Sequence, residues 1–290
     1  MRITDHLPRP SRRAVLASIP VTGAALLLAD QRSQGYSATP ATASSMPAAV
    51  RRRFGWRPAL NSPFTTMSAL DPKLWGQGWF PASAGAVSGP INQGEQAAYH
   101  PRNIVLDKSG AHFRLTATPT RVLRLDGSGT NYPRAGAVIT SMYRHDVHPR
   151  TWIEARLHLP GTGGKITDWP GFWLNGYDRP GRVWPQFGEI DIVEGLRGYA
   201  AWHYHWGTQP GRPTLNPGHN VPGTYTGWHT FAAHWEPDRI DFYYDGRLAG
   251  SVLDQVQTDA HYIVLGYSTT NAAAGPSELI CESVRSWTHT

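Results

Sequence analysis

Residues 188–195 read Gly-Glu-Ile-Asp-Ile-Val-Glu-Gly and place three carboxylates, Glu189, Asp191 and Glu194, in an otherwise apolar run. In a strand, alternate residues share a face, so Glu189 and Asp191 point one way while Ile190 and Ile192 point into a core. Strict alternation would then bury Glu194, at high cost for an unpaired charge. One extra residue near Ile192 or Val193, a β-bulge, returns Glu194 to the face of the other two acids. Two glutamates converging from such a strand suit glycosyl transfer through a covalent intermediate, with one carboxylate as nucleophile and the other as acid and base. Crowding separates their proton affinities, and Asp191 between them can position Glu189. The bare pattern arises by chance in roughly one chain in twenty of this length. A solvated acidic face or a calcium site would also use it, so the surroundings must decide.

Those surroundings read as strands and turns. Residues 111–119 and 151–160 alternate apolar and polar positions; in the second, Trp152, Glu154, Arg156 and His158 oppose Ile153, Ala155, Leu157 and Leu159. Further strand-like segments span 200–207, 228–237, 239–252, 261–268 and 278–287, with Asp245-Gly246 as a hairpin turn. The 54 Gly and Pro residues fit many turns, and no long helical period occurs. The expectation is an all-β sandwich of one domain.

Charge divides the chain. Residues 1–57 hold nine of the 27 basic residues and two of the 21 acidic ones, so the body carries a formal charge of only −1. The overall +6 is therefore no argument for a nucleic-acid partner. Arg12-Arg13 precede a mildly apolar run from Ala14 to Ala29, too short for an ordinary membrane span, and Ala41-Thr42-Ala43 offers a cleavage site. Residues 1–43 thus read as a twin-arginine export signal, 44–57 as a solvated basic linker and 58–290 as the catalytic domain. Export to the periplasm or medium, without a stable membrane anchor, is expected. The one cysteine, Cys281, sits in a strand-like segment and reads as a buried structural thiol.

The tryptophan-rich stretches Trp169–Gly176 and Trp184–Leu196 resemble the signature of glycoside hydrolase family 16, the family of laminarinases, lichenases, agarases and carrageenases. Segments 94–107, 137–160 and 228–248 extend the resemblance over about residues 70–290. It implies a concanavalin-type β-jelly-roll sandwich with a concave substrate cleft, and retaining cleavage of internal β-glycosidic bonds. On this basis Glu189 is the nucleophile, Asp191 the assisting carboxylate and Glu194 the acid/base, in the bulged, laminarinase-like branch. Trp184 matches a tryptophan that stacks near the cleaved sugar, Trp173 one on the cleft floor, and His205 a histidine near the acid/base. Arg102 is a candidate for contacts to sugar hydroxyls.

His203 shares a strand face with His205, but no third ligand lies nearby in sequence and a metal site is not expected. The resemblance implies no required cofactor and admits a structural calcium ion, for which the sequence nominates no ligands. A monomer acting on a polysaccharide is expected: β-1,3- or mixed β-1,3/1,4-glucan, or a bacterial exopolysaccharide. A transglycosylase on the same fold and a non-catalytic lectin-like protein are the alternatives.

Overall fold

The computed structural model describes residues 44–79, 87–123 and 127–290. The proposed export signal, residues 1–43, lies outside them. Two large sheets stack face to face. The back sheet has eight strands in the order β19 (Arg247–Val252), β18 (Arg239–Tyr244), β17 (Gly227–Glu236), β10 (Thr151–Leu159), β21 (Ser277–Thr288), β5 (Gly110–Leu115) and β4 (Ile104–Asp107), with β1 (Arg57–Pro63) paired to β21. The cleft sheet has nine, ordered β16 (Gly218–Asn220), β15 (Tyr199–His205), β14 (Glu189–Leu196), β13 (Trp169–Gly176), β20 (His261–Ser268), β8 (Arg134–Thr140) and β2 (Gly76–Gln77). To these β3 (Ala97–Tyr99) adds on β8 and β9 (Asp146–Val147) on β20. Two short pairs, β6–β7 (Thr120–Leu123, Gly129–Tyr132) and β11–β12 (Gly161–Thr162, Lys165–Ile166), complete an all-β jelly-roll sandwich.

The alternation read from the sequence decides which faces meet. Ile153, Ala155, Leu157 and Leu159 of β10, Phe231 and Ala233 of β17, and Leu279 and Cys281 of β21 face the inter-sheet core. From the other sheet Phe172 and Leu174, Ile190, Ile192 and Val193, and Ile263 and Leu265 meet them. Burying each such side chain stabilises the fold by about 1.5–3 kcal/mol relative to exposure. Asp245 and Gly246, both with positive φ (49° and 73°), make the tight turn between β18 and β19.

The outer face of the back sheet is also covered, which differs from the expected solvated linker at 44–57. Met46 is 5% exposed and packs with Trp152, Ala232 and Tyr243; Val50, Trp56 and Trp287 close around them. A six-residue helix, Ala48–Arg53, spans this patch with its three arginines in the last turn, where cations oppose the helix dipole favourably. Ser44 Oγ, Ser45 N and Ser45 Oγ donate to Glu154 Oε2 at 3.1, 2.9 and 2.7 Å. Glu154 faces outward as the alternation requires, yet the segment buries it to 1% exposure. Arginine content suggested solvent, but the apolar sheet face beneath Met46 and Trp56 gives the segment a place to dock.

Candidate active site

The three acids lie on one face of β14, and the bulge is where the spacing requires it. Against β15, Glu189 is opposite His205 and Asp191 opposite His203, but Glu194 is opposite Ala201, with the register shifting between Asp191 and Glu194. Against β13, Asp191 is opposite Trp173 and Glu194 opposite Gly171. Ile192 and Val193 both turn into the core, at 0% and 1% exposure. Two successive apolar side chains therefore share the core face, while Glu194 rejoins Glu189 and Asp191. Tyr244 Oη donates to the Ile192 carbonyl at 3.1 Å, giving the displaced backbone a partner from the opposite sheet.

All three carboxylates are buried, at 2%, 0% and 5% exposure, and each has its own polar neighbour. Trp184 Nε1 donates to Glu189 Oε2. His205 Nε2 lies 3.0 Å from Asp191 Oδ2. Glu194 is held on both oxygens: Trp169 Nε1 donates to Oε1 at 3.1 Å, and His203 Nδ1 lies 2.9 Å from Oε2. Charge-assisted contacts of this kind orient buried carboxylates that would otherwise be too costly to keep dry. Asp191, Glu194 and His203 present ligand atoms within 4.8 Å of one another. Trp169 also meets Glu194 in this group, and His205 meets Asp191.

Above Glu194 a cleft of 320 Å³ opens, lined among others by Trp169, Trp184, Arg197, His205 and Asn216. Of the expected binding residues, Trp184 and His205 lie in this lining. Trp173 stands beside Asp191 but is only 7% exposed, 6.1 Å from Trp79 between ring centroids, in a cluster that also holds Tyr262. It is absent from the cleft lining and borders a small void with Glu194 instead. Arg102 is exposed in the turn Pro101–Asn103 and absent from the cleft lining. Its neighbour Asn103 turns inward and donates to the carbonyls of Arg114 and Ala135, which leaves Arg102 facing solvent.

The structure adds residues that the sequence reading passed over. Trp169 is one: it falls at an even interval from Trp173, so the two share a strand face, and that spacing was visible. Glu95 is another. It is 3% exposed and accepts from Tyr99 Oη and Ser268 Oγ, both at 2.6 Å, and from the backbone and side-chain nitrogens of Asn92 at 2.7 and 3.0 Å. Burial pushes its carboxyl above the usual range, partly offset by these four donors. Glu95 lies with Trp169, Trp173 and Glu194 around a small void adjoining the cleft. It comes from a loop some hundred residues before β14, beyond any local period.

Comparisons with known proteins agree on the architecture. No family model matches the chain. Over 110 residues, 36% of this chain, it is 30% identical to glucan endo-1,3-beta-glucosidase A1 of Niallia circulans. The matched stretch spans only 16% of that protein. Among solved structures, the endo-beta-1,3-glucanase from Pyrococcus furiosus superposes with a TM-score of 0.63 at 20% identity, covering 81% of this chain and 95% of that one. A glycoside hydrolase family 16 endo-glucanase from Bacteroides ovatus gives 0.58 at 18% identity, covering 78% and 99%. The likeness to these solved structures extends over most of the sandwich, and the chain has the all-β jelly-roll fold that they have.

Proposed function

We propose that the protein is a retaining endo-β-glycosidase whose substrate is a β-1,3-glucan or a mixed β-1,3/1,4-glucan. The observation that carries this is the bulged strand β14, which lines Glu189, Asp191 and Glu194 on one buried face beneath a cleft, each beside its own N–H or imidazole partner. The named activities of the relatives, endo-1,3-beta-glucosidase and endo-glucanase, support the glucan assignment.

In the first step the Glu189 carboxylate attacks the anomeric carbon and the glycosidic C–O bond breaks. Glu194 in its acid form gives its proton to the departing oxygen. The product is a glycosyl ester on Glu189. In the second step Glu194, now a carboxylate, takes a proton from water as the water oxygen attacks the anomeric carbon. The ester bond breaks and returns Glu189 as a carboxylate. Two inversions give retention. Asp191, held by His205, sits between the two glutamates and supports the geometry of Glu189. Trp184 contributes an N–H to the nucleophile and an indole face to the cleft.

No cofactor enters this sequence of steps. The two clusters of titratable side chains that could share an ion, among the described residues, both contain histidine. Neither is the all-oxygen set that calcium takes, so we assign no calcium ligands. We further propose that the chain is exported through its twin-arginine leader and acts as a monomer. No helix among the described residues is long and apolar enough to cross a membrane.

The deciding experiment measures reducing-end release from laminarin, lichenan, agar, carrageenan and bacterial exopolysaccharides, with wild type and Glu189→Ala. Release from a β-glucan by the wild type and a loss of about 10³-fold or more in the variant is the expected result. Proton NMR of the first product should show the β-anomer. Release of the α-anomer, or undiminished activity in Glu189→Ala, would refute the mechanism. Sugar binding without turnover would leave a lectin, and predominance of longer oligosaccharides over free reducing ends would indicate a transglycosylase.

A further inference from the structure

The outer face of the back sheet, remote from the three carboxylates, carries a second cluster of coordinating side chains. His234 and Glu236 project outward from β17, since Phe231, Ala233 and Trp235 take the inward positions. His289 follows the end of β21. Main-chain bonds through Arg150 hold the two strand ends at a fixed separation: Arg150 N donates to the Trp235 carbonyl at 2.6 Å, and His289 N to the Arg150 carbonyl at 3.1 Å. His234 Nε2 and His289 Nε2 both converge on Glu236 Oε1, at 2.8 and 2.7 Å.

The cluster is compact and enclosed: the three ligand atoms lie within 4.8 Å of one another. His289 Nδ1 lies 3.1 Å from the main-chain oxygen of Thr290, so its Nε2 is the nitrogen turned toward Glu236. Both rings are largely dry, with side-chain exposures of 8% for His234 and 4% for His289. Phe54 stacks on His289 at 3.9 Å, and Trp56 meets both rings edge-on.

We propose that His234, Glu236 and His289 form a binding site for a divalent transition metal of the zinc class. Two imidazole nitrogens and one carboxylate oxygen are a ligand set that zinc accepts, with water as the fourth ligand. Calcium and magnesium, which take oxygen, are excluded by the two nitrogens. Donor atoms around a tetrahedral zinc stand about 3.3–3.5 Å apart, as follows from metal–ligand bonds of about 2.0–2.2 Å. The present contacts are shorter, so the Glu236 carboxylate must withdraw by less than about 1 Å to admit the ion. It has the space: a hollow of 670 Å³ reaches His234 and Glu236 past Phe54, Asp238 and Asp241, giving an entry route and room for water. The contact of His289 Nδ1 with the main-chain oxygen of Thr290 is the kind of outer contact that orients a ligating histidine. Bound metal ties the end of β21 to β17 across β10 and stabilises the sandwich without entering the chemistry of the cleft.

The test uses the EDTA-dialysed chain, titrated with Zn²⁺ by calorimetry and with Co²⁺ by visible absorption. The expected result is one tightly bound equivalent, a tetrahedral Co²⁺ spectrum, and a Tm that rises with Zn²⁺ concentration. His289→Asn and His234→Asn should each weaken binding about tenfold or more and abolish the rise in Tm. Glu194→Gln, which alters the other histidine-containing cluster, should bind as the wild type does. Absence of stoichiometric Zn²⁺ binding by the wild type overturns the proposal. So does binding that survives both histidine substitutions, or binding that is lost in Glu194→Gln.

Discussion

His203 is the register partner of Asp191, yet its Nδ1 lies 2.9 Å from Glu194 Oε2. His205, opposite Glu189, likewise reaches past it to Asp191 at 3.0 Å. Each histidine of β15 thus serves the carboxylate one step further along β14, and Trp184 takes the position left at Glu189. The bulge makes the His203–Glu194 contact geometrically available, because it returns Glu194 to the face on which His203 stands. The two imidazole rings run nearly parallel, 23° apart, so the network has the repeat of the strand that carries it.

Gly218 of β16 controls where His203 can stand. A Cβ at this position would come within 2.0 Å of His203 Cδ2. Gly218→Ala should displace the ring from Glu194 without touching any carboxylate. The expected outcome is a fall in kcat on polysaccharide of about 10- to 100-fold, as for impaired general acid catalysis, matched by His203→Ala. Aryl glycosides with good leaving groups need little protonation and should be much less affected. An equal loss on both substrates would mean that His203 serves the fold and not the acid.

Trp184 can be divided into its two contributions. Trp184→Phe removes the N–H given to Glu189 and keeps an aromatic face in the cleft; Trp184→Ala removes both. Leaving a buried carboxylate short of one donor costs about 1–3 kcal/mol. Trp184→Phe should therefore lower kcat by about tenfold or more with little change in KM, whereas Trp184→Ala should also raise KM. Steady-state kinetics on laminarin read this directly. A KM effect alone in Trp184→Phe would make the indole a sugar platform only.

The bulge was legible because the sequence contains a conflict that only an irregular strand resolves: Ile190, Ile192 and Glu194 cannot all face a core. The pairing of His203 with Glu194 was not legible, since period two places His203 and His205 on one face but does not say which acid each reaches. Arg102 reads as a sugar contact from its side-chain type alone, yet the turn leaves the guanidinium exposed and turns the partly buried Asn103 amide inward. Glu95 enters the site from a distant loop, and its burial depends on Tyr99 and Ser268 arriving from two other strands. The docked segment at 44–56 was hidden by its own charges. Its buried contacts come from Met46 and Trp56, on either side of the arginines.

That segment predicts a separable effect on stability. A chain beginning at Arg57 lacks Met46 and the three donors from Ser44 and Ser45 to Glu154. Burial of the methionine contributes about 1.5–3 kcal/mol. Glu154 exchanges the three donors for water and keeps Trp152 Nε1 at 3.0 Å, which costs about 0.5–1.5 kcal/mol more. Relative to a chain beginning at Ser44, urea unfolding should show a loss of about 2–4 kcal/mol. Values of kcat and KM at 25 °C should be unchanged, because the cleft lies on the other sheet. Coincident unfolding curves would show that the segment rests on the sheet without stabilising it.

The pH dependence of stability should carry the imprint of His261. This residue opens β20 at 0% exposure, with Nδ1 2.7 Å from the Asp259 carbonyl and Nε2 3.0 Å from that of Gly188, the residue before Glu189. Burial lowers its pKa to about 4, although both carbonyl contacts oppose the shift. In the unfolded chain the ring titrates near the ordinary value of about 6.5. Between these values the unfolded state binds a proton that the folded state refuses, so stability is fully present above about pH 6.5 and declines as pH falls toward 4. The total loss through this group is about 3 kcal/mol. Other groups titrate in the same window, and comparison with His261→Gln isolates the contribution: a Gln amide still donates to a carbonyl but does not ionise. The stability difference between wild type and variant, from urea unfolding at pH 7.5, 6, 5 and 4.5, should move steadily against the wild type as pH falls. Parallel pH profiles would mean that His261 titrates alike in both states and that its burial does not set the acid limit of the fold.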